Sequence, residues 1–322
     1  MAVFCAIVGS AEDCSRWQST IEVASTKDAK CNVFSVNETG DEIVMAPAYS
    51  KAVKLPSGAL LPLVGLGVYK TAPGAETFQT VLSALRGGYR HIDTAQFYHN
   101  ESDVGKAVLE SKIAREEVFI TSKVWLNNYG YDTTVASVKE SLTKLQTKYI
   151  DLMLLHAPGD PKLRPESWRA LEDCCRQGLV KDIGVSNFSE KHLEKLAETS
   201  TISPAVNQLE VHPFLQRKEL IHYCKDHNIV VEAYSPLAKA QKLTDHTVNQ
   251  IAYRVGATAA QVLIAWSLAK GLVPLPKSVN PERQHQNLQA AEVVLSVDEM
   301  RQLDELDEGL VTGWDPVTQD PV

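Results

Sequence analysis

The chain lacks several things, and each absence excludes a class of function. No apolar run approaches the ~18 residues needed to cross a bilayer, so an integral helical membrane protein is not expected. Cysteine is scarce, six in 322 residues. Cys174 and Cys175 are adjacent, Cys224 stands alone, and no C-x-x-C pair occurs, so neither a disulfide scaffold nor a structural zinc site is indicated. Basic residues are outnumbered, 32 against 40 acidic, for a net charge of −8. That balance argues against a general nucleic-acid binder while leaving room for a local anion pocket. What remains is an ordinary globular composition, 44% hydrophobic and 22% charged, with material for one large domain or two medium ones.

The first 48 residues do not read like the rest. They hold Cys5, Cys14 and Cys31 and show no sustained period of 2 or 3.6, so they are expected to form a disordered extension. Met1–Gly9 is apolar but has neither a basic flank nor a convincing cleavage site. Secretion is therefore not expected, and a reducing cytoplasmic location is.

From Lys51 the pattern changes. Ala52–Leu55 and Ala59–Leu63 flank Pro56-Ser57-Gly58 and read as a short β-hairpin. Short apolar runs then alternate with amphipathic stretches. The candidate strands are Leu63–Leu66, Arg90–Asp93, Val118–Lys123, Ile150–Leu155, Val180–Val185, Ala205–Leu209, Ile229–Ala233 and Leu272–Leu275. Helices are predicted over Ala75–Arg86, Thr133–Leu145, Pro165–Gln177, Ser189–Glu198, Arg217–His227 and Ala257–Lys270, with Ser189 and Thr258 as N-caps. Alternation of this kind gives an α/β fold with a parallel sheet, and its length suits a (β/α)₈ TIM barrel with an N-terminal β-hairpin, over residues 49–322. The rival, a doubly wound sheet, needs G-x-G-x-x-G after its first strand. Here Gly65-Leu66-Gly67 is followed by Lys70 where the next glycine belongs.

A barrel enzyme works at the C-terminal ends of its strands. Those ends carry Asp93 with Tyr98 nearby, Lys123, His156, Ser186-Asn187, Gln208, Tyr234-Ser235 and Lys277-Ser278. Tyr, Lys, Asp and His together make a proton-transfer set. A free tyrosine, pKa ~10, is a poor acid–base catalyst near neutrality. An adjacent Lys123 ammonium would be expected to lower it, Asp93 to hold Lys123, and His156 to fix a substrate oxygen. Taken singly, each has a plain structural reading: a loop cap, a packing tyrosine, a core histidine. A lysine closing an apolar run is harder to dismiss, because buried lysines are rarely unpaired. Lys277, Ser278 and Arg283 bring two cations and a hydroxyl within seven residues, which suits a dianionic phosphate.

These motifs resemble the aldo-keto reductases. The similarity runs through Gly88–Ala95 with Tyr98, Glu101 and Gly105, then Thr121–Trp125, Asp151–His156, Gly184–Phe188, Val206–Gln208, Ala233–Leu237, and Pro276–Ser278 with Arg283 and Asn287. It covers the chain from about residue 50 onward and omits residues 1–48. The resemblance implies a (β/α)₈ barrel that reduces aldehydes and ketones with NADP(H) and needs no metal. It implies Tyr98 as proton donor, tuned by Lys123 and Asp93, with His156 orienting the carbonyl. It places the cofactor on Asp93, Ser186, Asn187, Gln208, Tyr234, Ser235, Leu237, Lys277, Ser278, Arg283, Gln286 and Asn287. Gln286 stands where many members carry glutamate. Steroid double-bond reductases of the family carry glutamate in place of His156, so plain carbonyl reduction is expected.

Tyr69, Trp125 and His156 match substrate-pocket positions, and short loops at Ala157–Arg164 and Ala238–Thr244 suggest an open mouth for small or polar carbonyls. The expected partner is a small-molecule carbonyl, with no nucleic acid or membrane, and the chain is expected to be a monomer. Alternatives are a nucleotide-sensing accessory subunit with the same barrel, a reductase step in secondary metabolism, and a metal-dependent hydrolase using His91, Asp93, His156 and His212. The last lacks a His-x-His pair after the first strand.

Overall fold

The computed structural model describes residues 51–322 together with Phe34–Val36 (β1) and Glu42–Val44 (β2), which pair antiparallel. The expectation of a disordered extension over residues 1–48 otherwise lies outside the described residues.

The hairpin is present as β3 (Ala52–Lys54) and β4 (Leu60–Pro62), turning through Gly58 at φ +88°. Eight parallel strands follow: β5 (Leu66–Gly67), β6 (His91–Asp93), β7 (Phe119–Val124), β8 (Ile150–Leu155), β9 (Val180–Ser186), β10 (Val206–Glu210), β11 (Val230–Tyr234) and β12 (Val273–Leu275). Neighbours in sequence are neighbours in the sheet from β5 to β12. The ring closes where the Gly65 and Gly67 N–H groups donate to the Pro274 and Pro276 carbonyls, each at 3.1 Å. This is the (β/α)₈ barrel.

Helices α1 (Ala75–Arg86), α2 (Glu101–Ser111), α3 (Tyr131–Lys144), α4 (Arg164–Arg176), α5 (Glu190–Ala197) and α6 (Lys218–Asp226) follow in alternation with the strands. They are succeeded by α7 (His246–Val255), α8 (Ala259–Ala269), α9 (Pro281–Gln289), α10 (Val297–Asp304) and α11 (Pro316–Gln319). The predicted caps form: Ser189 accepts from the His192 N–H and Thr258 from the Gln261 N–H, each completing a capping box. Among the described residues no single helix is long and apolar enough to cross a membrane.

The core has two parts. The larger lies between the strands and the helices, with Ile92, Ile120, Met153, Val185, Leu209 and Val231 against residues such as Leu85, Val104 and Trp168. The smaller fills the base of the barrel, where Leu55 and Leu61 of the hairpin meet Phe119, Leu152, Leu154, Val206 and Val273. The hairpin is thus a plug. Its Ser57 N–H donates to Asp182 Oδ1 at 3.1 Å, fixing the turn to β9.

The first barrel strand is a correction. It runs over Leu66–Gly67 rather than Leu63–Leu66. The Leu63 N–H still pairs with the Lys51 carbonyl of the hairpin segment (3.1 Å), so this stretch serves the plug before it joins the barrel. Gly65 marks the crossing: a Cβ there would stand 2.5 Å from Leu275 Cδ2 and 2.6 Å from His91 Nδ1.

Candidate active site

The strand ends place the proton-transfer set in direct contact. Lys123, on β7, is completely buried at 0% exposure. Its ammonium donates to both Asp93 oxygens (2.8 and 2.7 Å) at the end of β6, to the Thr94 carbonyl (2.9 Å) and to Tyr98 Oη (3.3 Å). All three of its protons therefore have acceptors, and the charge is paired, as burial requires. Tyr98 closes a single 3₁₀ turn, Gln96–Tyr98. Asn100 anchors the turn by donating to the Val68 carbonyl and Thr71 Oγ1 (3.1 Å each) and accepting from Thr94 Oγ1 (2.7 Å). His156 follows β8, with its ring centroid 5.7 Å from that of Tyr98. Its Nδ1 is buried without a hydrogen-bond partner among the described residues.

Protonation follows from burial. The Tyr98 phenol is held well above its ordinary 10.0, first by desolvation and then by the Asp93 charge. This reverses the expectation that Lys123 would lower it. Asp93 sits on the ammonium with both oxygens and neutralises the field that the phenol would feel. His156 is pushed well below 6.5 by burial and by Lys123, so its imidazole is neutral.

Ser186, Asn187, Gln208 and Tyr234 form one connected cluster beside Asp93. Ser186 Oγ donates to the Gln208 carbonyl (2.9 Å), Asn187 Nδ2 to the His156 carbonyl (3.1 Å), and Tyr234 Oη to Asn187 Oδ1 (2.8 Å). Asn187 adopts φ +63°, a left-handed conformation that asparagine tolerates better than most residues. Gln208 Nε2 spends both protons on carboxylates, Asp93 Oδ2 (2.8 Å) and Glu232 Oε2 (2.7 Å), leaving its Oε1 as the group open to a ligand amide. Glu232, on β11, was not anticipated. Burial and the Asp93 charge push it up to about 8.

Further along the rim, Ser235 lies at φ +48°, followed past the half-buried Leu237 by Ala238, Lys239 and Ala240 at +46°, +50° and +65°. Three consecutive non-glycine residues in this region are a local strain. The Lys239 ammonium donates to the Thr312 carbonyl at 2.9 Å, tying this loop to the C-terminal segment.

Lys277, just before α9, and Arg283, in its first turn, are exposed and have no side-chain ion pair or hydrogen bond among the described residues. Ser278 between them is buried, accepting the Asn280 N–H at 3.1 Å. Two unpaired cations at a helix N-terminus fit a phosphate dianion. Asn287 is buried and Gln286 half-buried on the same helix. Gln284, also unanticipated, braces the group by donating to the Ser278 carbonyl (2.9 Å) and the Thr80 carbonyl of α1 (3.0 Å).

The mouth is aromatic. Tyr69 packs on Tyr98 with ring centroids 5.0 Å apart. Trp125 stands 5.1 Å from His156, is stacked by Phe97 at 4.0 Å, and meets Trp314 of the C-terminal segment at 6.4 Å. Tyr69, Phe97 and Trp314 are 43%, 40% and 46% exposed. Phe97 was missed because its only signal is adjacency to Tyr98 in a turn too short to show periodicity.

Comparison with known proteins places the chain in a family. The family model for the aldo/keto reductase family matches residues 64–308. The glyoxal reductase of Bacillus subtilis is 43% identical over 272 residues, which is 84% of this chain and 98% of that protein. Among solved structures, an aldo-keto reductase from a Medee basin deep-sea metagenome library superposes with TM-score 0.80 at 38% identity, covering 84% of this chain and all (100%) of that one. A Bombyx mori aldo-keto reductase, solved in complex with NADP, gives TM-score 0.78 at 31% identity over 84% of this chain and 96% of its own. With the barrel closed and these relatives matched along nearly their whole length, the chain belongs to the aldo/keto reductase family.

Proposed function

We propose that this chain reduces aldehydes and ketones to alcohols with NADPH, acting as a monomer on small-molecule carbonyls in a reducing cytoplasm. The observation that carries the reading is the contact chain Asp93–Lys123–Tyr98, in which a buried ammonium stands 3.3 Å from a phenol. NADPH, when bound, supplies the hydride. Ser186, Asn187 and Gln208 would hold its carboxamide, Tyr234 its ring face, Ser235 and Leu237 its pyrophosphate. Lys277, Ser278 and Arg283 would take the 2′-phosphate, with Gln286 and Asn287 at the adenine.

The protein's own part is positional and electrostatic. Neutral His156 donates a hydrogen bond to the carbonyl oxygen and fixes it beside Tyr98, while Tyr69 and Trp125 confine the substrate. Tyr98 keeps its proton through binding because its phenol is raised. As negative charge develops on the oxygen, that proton moves to it. Lys123 then stabilises the phenolate left behind, at the moment when the charge appears.

The test is an NADPH-consumption screen over aldehydes, ketones and sugar acids, with glyoxal first because of the similarity to glyoxal reductase. Carbonyl-dependent consumption that persists in a metal chelator is expected. Tight NADPH binding with no turnover on any carbonyl would favour a nucleotide-sensing role instead.

A further inference from the structure

Below the reaction centre the polar chain continues into the barrel. Gln208 joins Asp93 to Glu232, and Glu232 Oε1 lies 3.5 Å from His91 Nε2, which in turn is 3.2 Å from Thr121 Oγ1. Glu232 and His91 are both 0% exposed. Among the described residues Glu232 Oε1 has no hydrogen-bond partner, so the end of the chain is not closed by any other donor. The groups facing Glu232 are few. β6 offers Asp93 and His91, β7 offers Lys123, and β10 offers only the uncharged amide of Gln208. The flanking β12 (Val273–Leu275) carries no titratable residue. Lys123 is already committed to Asp93 with two of its three protons. A second ionised carboxylate here would have no counter-charge, which a dry interior does not tolerate.

We propose that Glu232 is a positioning residue that works as a neutral acid: it holds Gln208 against Asp93 and so fixes Asp93 on Lys123 beneath Tyr98. Its Oε2 accepts the Gln208 N–H, and its protonated Oε1 faces the unprotonated Nε2 of His91. His91 is neutral, since burial lowers it to about 3. Loss of the Glu232 proton would place negative charge beside Asp93, hold the phenol proton more firmly and slow proton delivery. This inference rests on the carbonyl-reductase reading above.

The experiment combines rate profiles with a measurement that needs no turnover. Wild-type kcat for carbonyl reduction is expected to decline several-fold between about pH 7 and about pH 9, a range in which Tyr98 does not titrate. Glu232→Leu, which removes the acceptor, should lower kcat about tenfold at neutral pH, the scale of one lost hydrogen bond, with a smaller effect on KM. Glu232→Gln, which mimics the protonated acid in shape and hydrogen bonding, should restore most of that loss and abolish the alkaline decline. Infrared spectroscopy of the wild-type protein should show a buried protonated carboxyl at neutral pH that disappears on alkalisation and is missing in Glu232→Gln. A Glu232→Gln enzyme with the wild-type alkaline decline, or a wild-type spectrum without a protonated carboxyl, would overturn the proposal. A wild-type spectrum without the band overturns the proposal whether or not either variant folds. It also separates failure of this inference from failure of the reductase reading, which would appear as no NADPH turnover by the wild type.

Discussion

At the scale of single residues, the site depends on one charge that has nowhere to go. Lys123 is sealed in the barrel and held by Asp93 at 2.7 and 2.8 Å. Replacing it with methionine strands the Asp93 carboxylate. Breaking one side of a buried pair costs ~3–5 kcal/mol, so Lys123→Met should melt well below wild type in thermal unfolding as well as lose turnover. Arg283 gives a milder prediction. It is exposed, with no side-chain partner among the described residues. Arg283→Ala should therefore leave stability unchanged, while weakening NADPH binding by about tenfold or more, the scale of a charge-assisted pair. NADH binding, measured by the same fluorescence titration, should be unaffected. Lys123 was legible in the sequence because a polar side chain closing an apolar run is conspicuous without any knowledge of the fold, and Arg283 because it joins Lys277 and Ser278 in a short cationic cluster. Glu232 and Gln284 were not. Glu232 sits inside an apolar stretch, and its partners Gln208 and Asp93 are 24 and 139 positions away, brought near only by barrel closure.

At the scale of elements, alternation identified the barrel strands, and two of the caps were readable from Ser189 and Thr258. The first strand was misplaced because the stretch around Leu63 bonds to the hairpin, while β5 itself spans only two residues, Leu66–Gly67. Helix packing supplies a test that local propensity would get wrong. Gly105 lies within α2, where alanine is ordinarily the better helix former by ~1 kcal/mol. Here an added Cβ would stand 2.5 Å from the Leu145 carbonyl oxygen and 2.7 Å from its Cα, both backbone atoms just after α3. Backbone does not yield like a flexible side chain, so overpacking wins. Gly105→Ala should destabilise by about 1–3 kcal/mol, seen as a lower denaturant midpoint. A more stable Gly105→Ala would show that the α2–α3 contact is looser than described.

At the scale of the whole molecule, the C-terminal segment is tied across the rim at several points that no local pattern signals. The Thr312 N–H donates to Glu210 (3.2 Å), Arg217 pairs with Asp315 (2.6 Å), and the Gly159 N–H donates to Asp320 Oδ2 (3.0 Å). These contacts hold Trp314 over the mouth and give an aromatic wall where short loops alone suggested an open site. Buried histidine sets the acid response. His91 is neutral in the fold, lowered from 6.5 to about 3, so below 6.5 the unfolded chain binds a proton that the folded one refuses. Its share of the stability is complete above 6.5 and is lost as pH falls towards about 3. Urea unfolding at stepped pH should show this limb, and His91→Gln should make it shallower. Deleting residues 1–48, which carry none of the proposed chemistry, should leave NADPH affinity and turnover unchanged.

In the proposed reaction Tyr98 delivers the proton while other residues hold the cofactor. The most direct measurement is NADPH binding and carbonyl turnover by Tyr98→Phe, side by side with wild type. The phenyl ring preserves packing against Tyr69 and His156 and removes only the hydroxyl near Lys123. The predicted result is NADPH binding nearly as tight as wild type with turnover reduced to background. Turnover close to wild type in that variant would show that Tyr98 is not the proton donor.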